Sequence, residues 1–334
     1  MLRKTKNKIK VSILIFVAVL LFNPVFGGRV YAGGEILYLG GVPAGFTIKT
    51  NGSTVIGLNE VVTENGIESP ARTNDIRVGD VILSIDGNTV VDVQSIAKSI
   101  ENCGGNPVEV VISRKGQKIV KYITPTKDVG GNYRLGIFLR DDLNGIGTIT
   151  YFRQNGEFAS LGHPVLDESG EKCDVFGGDC YLCSIIGIVK GERGKAGELK
   201  GIFIDTDKIG TITKNTATGL YGVAAKEFPY KKFTKVEIGV GVVGNASIIT
   251  CIDGVSPKEY GISIVKADFN DKDNKNFVIK ITDRELLRAT NGILQGMSGS
   301  PIVQKGKIVG AVTHVFINDP SRGFGIDVAK MLEN

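Results

Sequence analysis

The chain has 334 residues, with 42% hydrophobic and 22% charged side chains and a formal charge of +5. That length gives room for about two domains, each with its own core. The charge is concentrated: residues 1–32 hold Arg3, Lys4, Lys6, Lys8, Lys10 and Arg29 and no acid, which leaves 34 basic against 35 acidic side chains beyond them. The body is therefore close to neutral, and charge gives no reason to expect a nucleic-acid partner.

The first element is a targeting segment, residues 1–32. A basic stretch precedes the apolar run Val11 to Phe22 (VSILIFVAVLLF), and Val30-Tyr31-Ala32 supplies a small-residue cleavage pattern. A run of 12 residues is short of the about 20 that span a bilayer and suits the core of a signal peptide. Continuing it to Phe26 makes an uncleaved membrane anchor the alternative. In both cases this segment contacts the membrane and the rest of the chain is expected outside the cytoplasm.

Beyond it, 45 glycines, no Trp and short Val/Ile/Thr-rich runs dominate, at Val108 to Ser113, Gly145 to Phe152, Lys235 to Val243 and Lys307 to Ile317. Such runs bounded by Gly, Asn and Asp predict a mostly β protein with sandwich or barrel packing. The clearest helix is Val93 to Glu101, entered from Asp92 as N-cap. The pair Gly130-Gly131 suggests a boundary close to residue 128.

In region 35–127, the stretch IRVGDVILSIDGNTVVDVQSIAKSIENCGGNPVEVVISRKGQ reads as a strand at Val81 to Ile85, a turn at Asp86-Gly87, the helix, and a returning strand. It resembles the PDZ domain of bacterial secreted proteases, on Val78-Gly79-Asp80 and Ile85-Asp86-Gly87. The resemblance implies an extended peptide added as a strand. The loop Ala44-Gly45-Phe46-Thr47 would hold its carboxylate, and Phe46 to Thr50 would accept it. A domain packed internally, with no peptide ligand, is the alternative.

Five cysteines, Cys103, Cys173, Cys180, Cys183 and Cys251, are an odd number and argue against a full disulfide framework. A zinc site at the Cys173, Cys180 and Cys183 cluster would need His163 as fourth ligand. A single disulfide or buried thiols fit the pattern better, and no metal or organic cofactor is expected.

The remaining region, 128–334, carries the chemistry. A serine hydroxyl needs a neighbouring base, and histidine suits that task near neutral pH. Only His163 and His314 exist. His163 lies in Leu161-Gly162-His163-Pro164, where Gly and Pro impose a turn that can present an imidazole to a cleft. His314 lies within a strand and reads as structural, with lining of a substrate cleft as its alternative. In Gly296-Met297-Ser298-Gly299-Ser300-Pro301, Gly296 and Ser298 can offer N–H groups to an oxyanion, and Gly299 allows close backbone approach. This stretch resembles the nucleophile loop of chymotrypsin-like serine proteases, which precedes a strand that binds substrate main chain.

LGHPVLDESG, GELKGIF and ITDRELLRATNGILQGMSGSPIVQKGKIVGAVTHVFINDP, after a PDZ-like region, narrow the resemblance to the stage IV sporulation protein B family of serine peptidases. It implies Ser298 as nucleophile, His163 as base and Asp283 as third triad member, on a chymotrypsin-like double β-barrel. The residues themselves leave the aspartate open: Asp167, Asp205 and Asp207 are equally available, and Asp283 could instead cap a helix before Leu286. The resemblance further implies sporulation signalling from the forespore intermembrane space. There the enzyme would cleave a membrane-bound regulator of an intramembrane protease, activating a late mother-cell sigma factor, with self-cleavage. An envelope quality-control protease and an inactive peptide-binding scaffold are the competing classes.

Overall fold

The computed structural model describes residues 35–167 and 170–334. The expected targeting segment, 1–32, lies outside them. No helix among the described residues is long and apolar enough to cross a membrane.

Strand β1 (Ile36–Leu39) is followed by the 16-residue β2 (Pro43–Leu58). The chain then builds β3 (Val81–Ile85), α1 (Val93–Asn102), β4 (Val108–Arg114) and β5 (Gln117–Ile123) before the long β6 (Ile137–Phe152). Asp92 caps α1 by accepting from Ser95 N at 2.7 Å, and Ser95 returns the bond in a capping box. Ile96 and Ile100 turn one face of α1 onto Ile82, Ile85, Val110 and Ile112, the core of this lobe.

β7 (Glu157–Ser160), β8 (Val175–Val189), β9 (Gly197–Thr216) and β10 (Gly219–Ala224) come next. They close, with the first half of β2 and the second half of β6, around Phe46, Ile48, Ile149, Phe152, Phe158 and Leu220. After β11 (Lys235–Ile238), a second β core is built by β12 (Gly244–Thr250), β13 (Lys258–Ala267) and β14 (Phe277–Ile281). Helix α2 (Arg284–Thr290), β15 (Pro301–Gln304), β16 (Lys307–Phe316), β17 (Asp319–Asp327) and α3 (Val328–Leu332) complete it. Ile248, Ile262, Phe277, Ile279, Ile302 and Val312 fill that second core. The mostly β class, with two β cores and a PDZ-like lobe, is as expected.

The expected boundary at 128 needs correction. Residues 128–132 form the tight turn of a small hairpin, with Tyr133 opposite Lys127 and Arg134 opposite Thr126. They are not a linker. β1 pairs with β6 and β11, and Pro43 to Lys49 pair with β6 and β8, so residues 36–49 belong to the peptidase barrel. The PDZ-like lobe is thus inserted between halves of two strands. Where the ribbon of β2 and β6 crosses between lobes, Asp141 accepts from Ser53 Oγ and from Val93 N, the first residue of α1.

Candidate active site

Ser298 sits on a loop between Leu294–Gln295 and β15. Gly296 and Gly299 have φ of 97° and 92°, in the left-handed region that favours glycine. A Cβ on Gly299 would meet Thr148 O at 2.0 Å and Leu161 N at 2.5 Å. Only glycine lets the Ser298 loop press on the strands that carry His163.

Three buried hydroxyls lock this contact. Thr148 Oγ1 donates to Gly296 O at 3.0 Å, Thr150 Oγ1 to Gly299 O at 2.7 Å, and Ser160 Oγ to Thr148 O at 2.6 Å. Thr148 N adds a bond to Ser298 O at 2.9 Å. The N–H groups of Met297, Gly299 and Ser300 are spent on Leu294 O, Val312 O and Met297 O, which leaves those of Gly296 and Ser298 as this loop's candidates for holding an oxyanion. Ser298 Oγ donates to Thr313 O at 2.7 Å.

His163 follows β7 through Leu161 and Gly162, whose φ angles are 68° and 73°. A leucine in that region costs about 1–3 kcal/mol. Burial of Leu161 in the first barrel core, against the residues around Phe46, holds it there. His163 Nδ1 lies 2.9 Å from Pro164 O. A carbonyl only accepts, so Nδ1 carries the proton and Nε2 is left with its lone pair.

His163, Ser298 and His314 line one cavity of about 510 Å³, with Phe46, Ile146, Leu161, Ile293 and Leu294 among its walls and no Asp, Glu, Lys or Arg among its described lining residues. The two imidazoles are 4.8 Å apart between ring centres. Burial pushes His163 below its ordinary pKa. Burial, then His163 and Lys275, push His314 down to about 4. Both rings are thus neutral near pH 7, the state in which an imidazole can take a proton.

The profile of the SpoIVB peptidase S55 family matches residues 131–332, and a PDZ-domain profile matches residues 61–114. The chain belongs to the SpoIVB peptidase S55 family. The matched stretch is that of a peptidase family and holds Ser298, His163 and His314. A Clostridium perfringens (strain 13) protein named as a zinc metalloprotease is 35% identical over 69 residues, or 21% of each chain. This chain therefore spans about a fifth of that relative. The PDZ domain of a Listeria monocytogenes SdrC-like protein is 24% identical, covering 28% of this chain and 93% of its own, at a TM-score of 0.23.

Within this S55 peptidase, Asp283 is not where the expected triad requires it. It is the N-cap of α2, its carboxylate accepting from Leu286 N at 2.9 Å, while His163 Nδ1 is engaged instead by Pro164 O. The physical reason is local: the first-turn N–H groups of a helix lack partners, and an aspartate at that position satisfies one. Asp205 and Asp207 sit on an exposed stretch of β9, Asp167 follows Leu166, and none reaches the cavity.

The peptide loop expected at Ala44, Gly45, Phe46 and Thr47 also needs correction. Ala44 and Phe46 are 0% and 2% exposed. Phe46 pairs with Gly145 on one side and Cys180 on the other, so Phe46 to Thr50 has no free edge to offer a peptide. The open edge lies elsewhere: Leu135 to Leu139 face α1 across a groove of about 450 Å³, lined by Val93, Ile96, Ala97 and Ile100.

The cysteines are free thiols spread over separate cores. Burial raises Cys173 and Cys183 to about 11 and Cys180 well above its ordinary value, which keeps them protonated and unreactive at neutral pH. Sequence reasoning missed Thr148, Thr150, Ser160 and Asn215. The two threonines share one face of an apolar strand, a signal that polar groups must be satisfied inside. Asn215 stands just before the Thr216 to Gly219 turn, where an asparagine is an ordinary turn former and signals no site.

Proposed function

We propose that this peptidase acts through Ser298 as nucleophile and His163 as base. The observation that carries the reading is their convergence on one uncharged cavity inside the S55 match. His163 would take the hydroxyl proton once Ser298 Oγ leaves Thr313 O, and later return it to the leaving amine. The N–H groups of Gly296 and Ser298 would hold the oxyanion. The edge of His314 to Phe316 would carry substrate main chain, and the apolar walls favour an apolar side chain beside the scissile bond.

The groove between α1 and Ile137 to Leu139 would take an extended segment of a protein chain. We read the substrate as a membrane-bound regulator of an intramembrane protease, cut after export to the forespore intermembrane space so that a late mother-cell sigma factor becomes active. Self-cleavage would accompany it, and residues 1–32 would target or anchor the chain at the membrane. The test is incubation of purified protein alone, followed by mass spectrometry. The reading predicts self-cleavage next to an apolar residue and its loss in Ser298→Ala. Unchanged processing in that variant overturns the nucleophile, and broad digestion of casein would favour envelope quality control.

A further inference from the structure

We propose that Asn215 is the positioning residue of the His163 imidazole, acting through the Pro164–Val165 peptide unit where a triad would use a carboxylate. The inference rests on the reading that Ser298 and His163 perform the chemistry. Asn215 lies near the end of β9, paired with Leu220 of β10, and is 8% exposed.

All three side-chain hydrogen bonds it makes among the described residues go to the loop that carries His163. Its Oδ1 accepts from Val165 N at 2.9 Å, and its Nδ2 donates to Val165 O at 2.8 Å and to Cys173 O at 2.9 Å. A flipped amide would set an oxygen against two carbonyls, so the orientation is dictated by its partners. Cys173 N closes the loop on Val165 O at 3.1 Å.

Val165 N and Pro164 C=O belong to one planar peptide. Its N–H points at Asn215 Oδ1 and its C=O receives the proton of His163 Nδ1 at 2.9 Å. The two bonds are collinear in sense, so each polarises the peptide in the direction that strengthens the other. Pro164 cannot donate, so its own nitrogen does not compete for nearby acceptors. The arrangement does what the third member of a triad does: it fixes the ring plane and keeps the proton on Nδ1, leaving Nε2 for serine. Asp283, engaged at α2, is not needed for it.

The chain has only two histidines, so its imidazole nitrogen spectrum after 15N-histidine labelling is readable directly, with His314→Gln assigning the peaks. The full chain at pH 7.5 is expected to show His163 neutral with its proton on Nδ1, opposite to the preference of a free histidine side chain. Asn215→Ala is expected to move His163 toward the Nε2–H form and to lower kcat roughly 10- to 100-fold with little change in KM. Asn215→Asp keeps the acceptor for Val165 N–H but sets its other oxygen against Val165 O and Cys173 O, so it is expected to be less stable while its folded fraction retains the Nδ1–H form.

A His163 ring protonated on Nε2 in the unmutated chain overturns the proposal. So does a folded Asn215→Ala protein with both the Nδ1–H signal and kcat intact, which is what a merely structural asparagine would give. If Asn215→Ala does not fold, the unmutated spectrum and Asn215→Asp still decide. Retained activity in Ser298→Ala would instead defeat the catalytic reading and leave the tautomer result standing.

Discussion

β2 and β6 lie side by side through both lobes, but they meet different fates. In the peptidase barrel, Pro43 to Lys49 is covered by β6 on one edge and β8 on the other, and its side chains close the core. In the PDZ-like lobe, Ile137 to Leu139 of β6 is paired only with β2 and turns its other edge toward α1. Main-chain groups on a free edge are a template for another chain, and those between two partners are spent. The same ribbon is thus structural in one lobe and available for recognition in the other. Ser298 and His163 lie where it is fully covered.

The division can be broken experimentally, first at the covered end. His163→Ala is expected to lower kcat/KM by about 10⁴-fold or more for short peptides and proteins alike, measured by fluorogenic peptide hydrolysis with the fold checked by circular dichroism. At the open end, Ala97 is exposed on the groove wall. Ala97→Arg should cut cleavage of a protein substrate roughly tenfold while leaving a short peptide untouched, since one blocked anchor removes about 1–2 kcal/mol of binding. Equal losses on both substrates would erase the distinction between the lobes.

Asp283 sharpens the comparison further. As an N-cap, its replacement by alanine should cost about 1 kcal/mol, a fall in Tm of roughly 2–4 °C, with kcat of the folded protein unchanged. The smallest effect is in pH. Because burial depresses His163, its base form persists below the ordinary 6.5, and the acid limb of kcat/KM should fall below that value. Stability carries the same sign. Below pH 6.5 the unfolded chain takes up protons before the folded one, so stability declines as pH falls until His314 protonates near 4. A limb at or above 6.5 would contradict the buried setting of His163.

The architecture was readable wherever local chemistry decides it. Asp92 marked the start of α1, Val81 to Ile85 and Val108 onward became strands, and Gly299 became a point of backbone contact. Strand pairing was not readable, because register is set by partners far apart in the chain. That is why Phe46 looked like an acceptor for peptide and lies instead in the barrel. The short spacing from Asp283 to Ser298 carried no three-dimensional information either, and its alternative as a helix cap is the one the structure adopts. Asn215 was invisible as a site residue, because its partners are backbone atoms of Val165 and Cys173, which no side-chain motif records.

On the proposed mechanism, the pairing of Ser298 with His163 works without Asp283. It is tested most directly by labelling with a fluorophosphonate, which modifies only an activated serine. Intact-mass measurement should find one adduct on the unmutated chain and none on Ser298→Ala. Asp283→Ala should label at close to the unmutated rate, and His163→Ala slower by about 10³-fold or more. If Asp283→Ala is as slow as His163→Ala, the aspartate belongs to the catalytic machinery and the account is wrong.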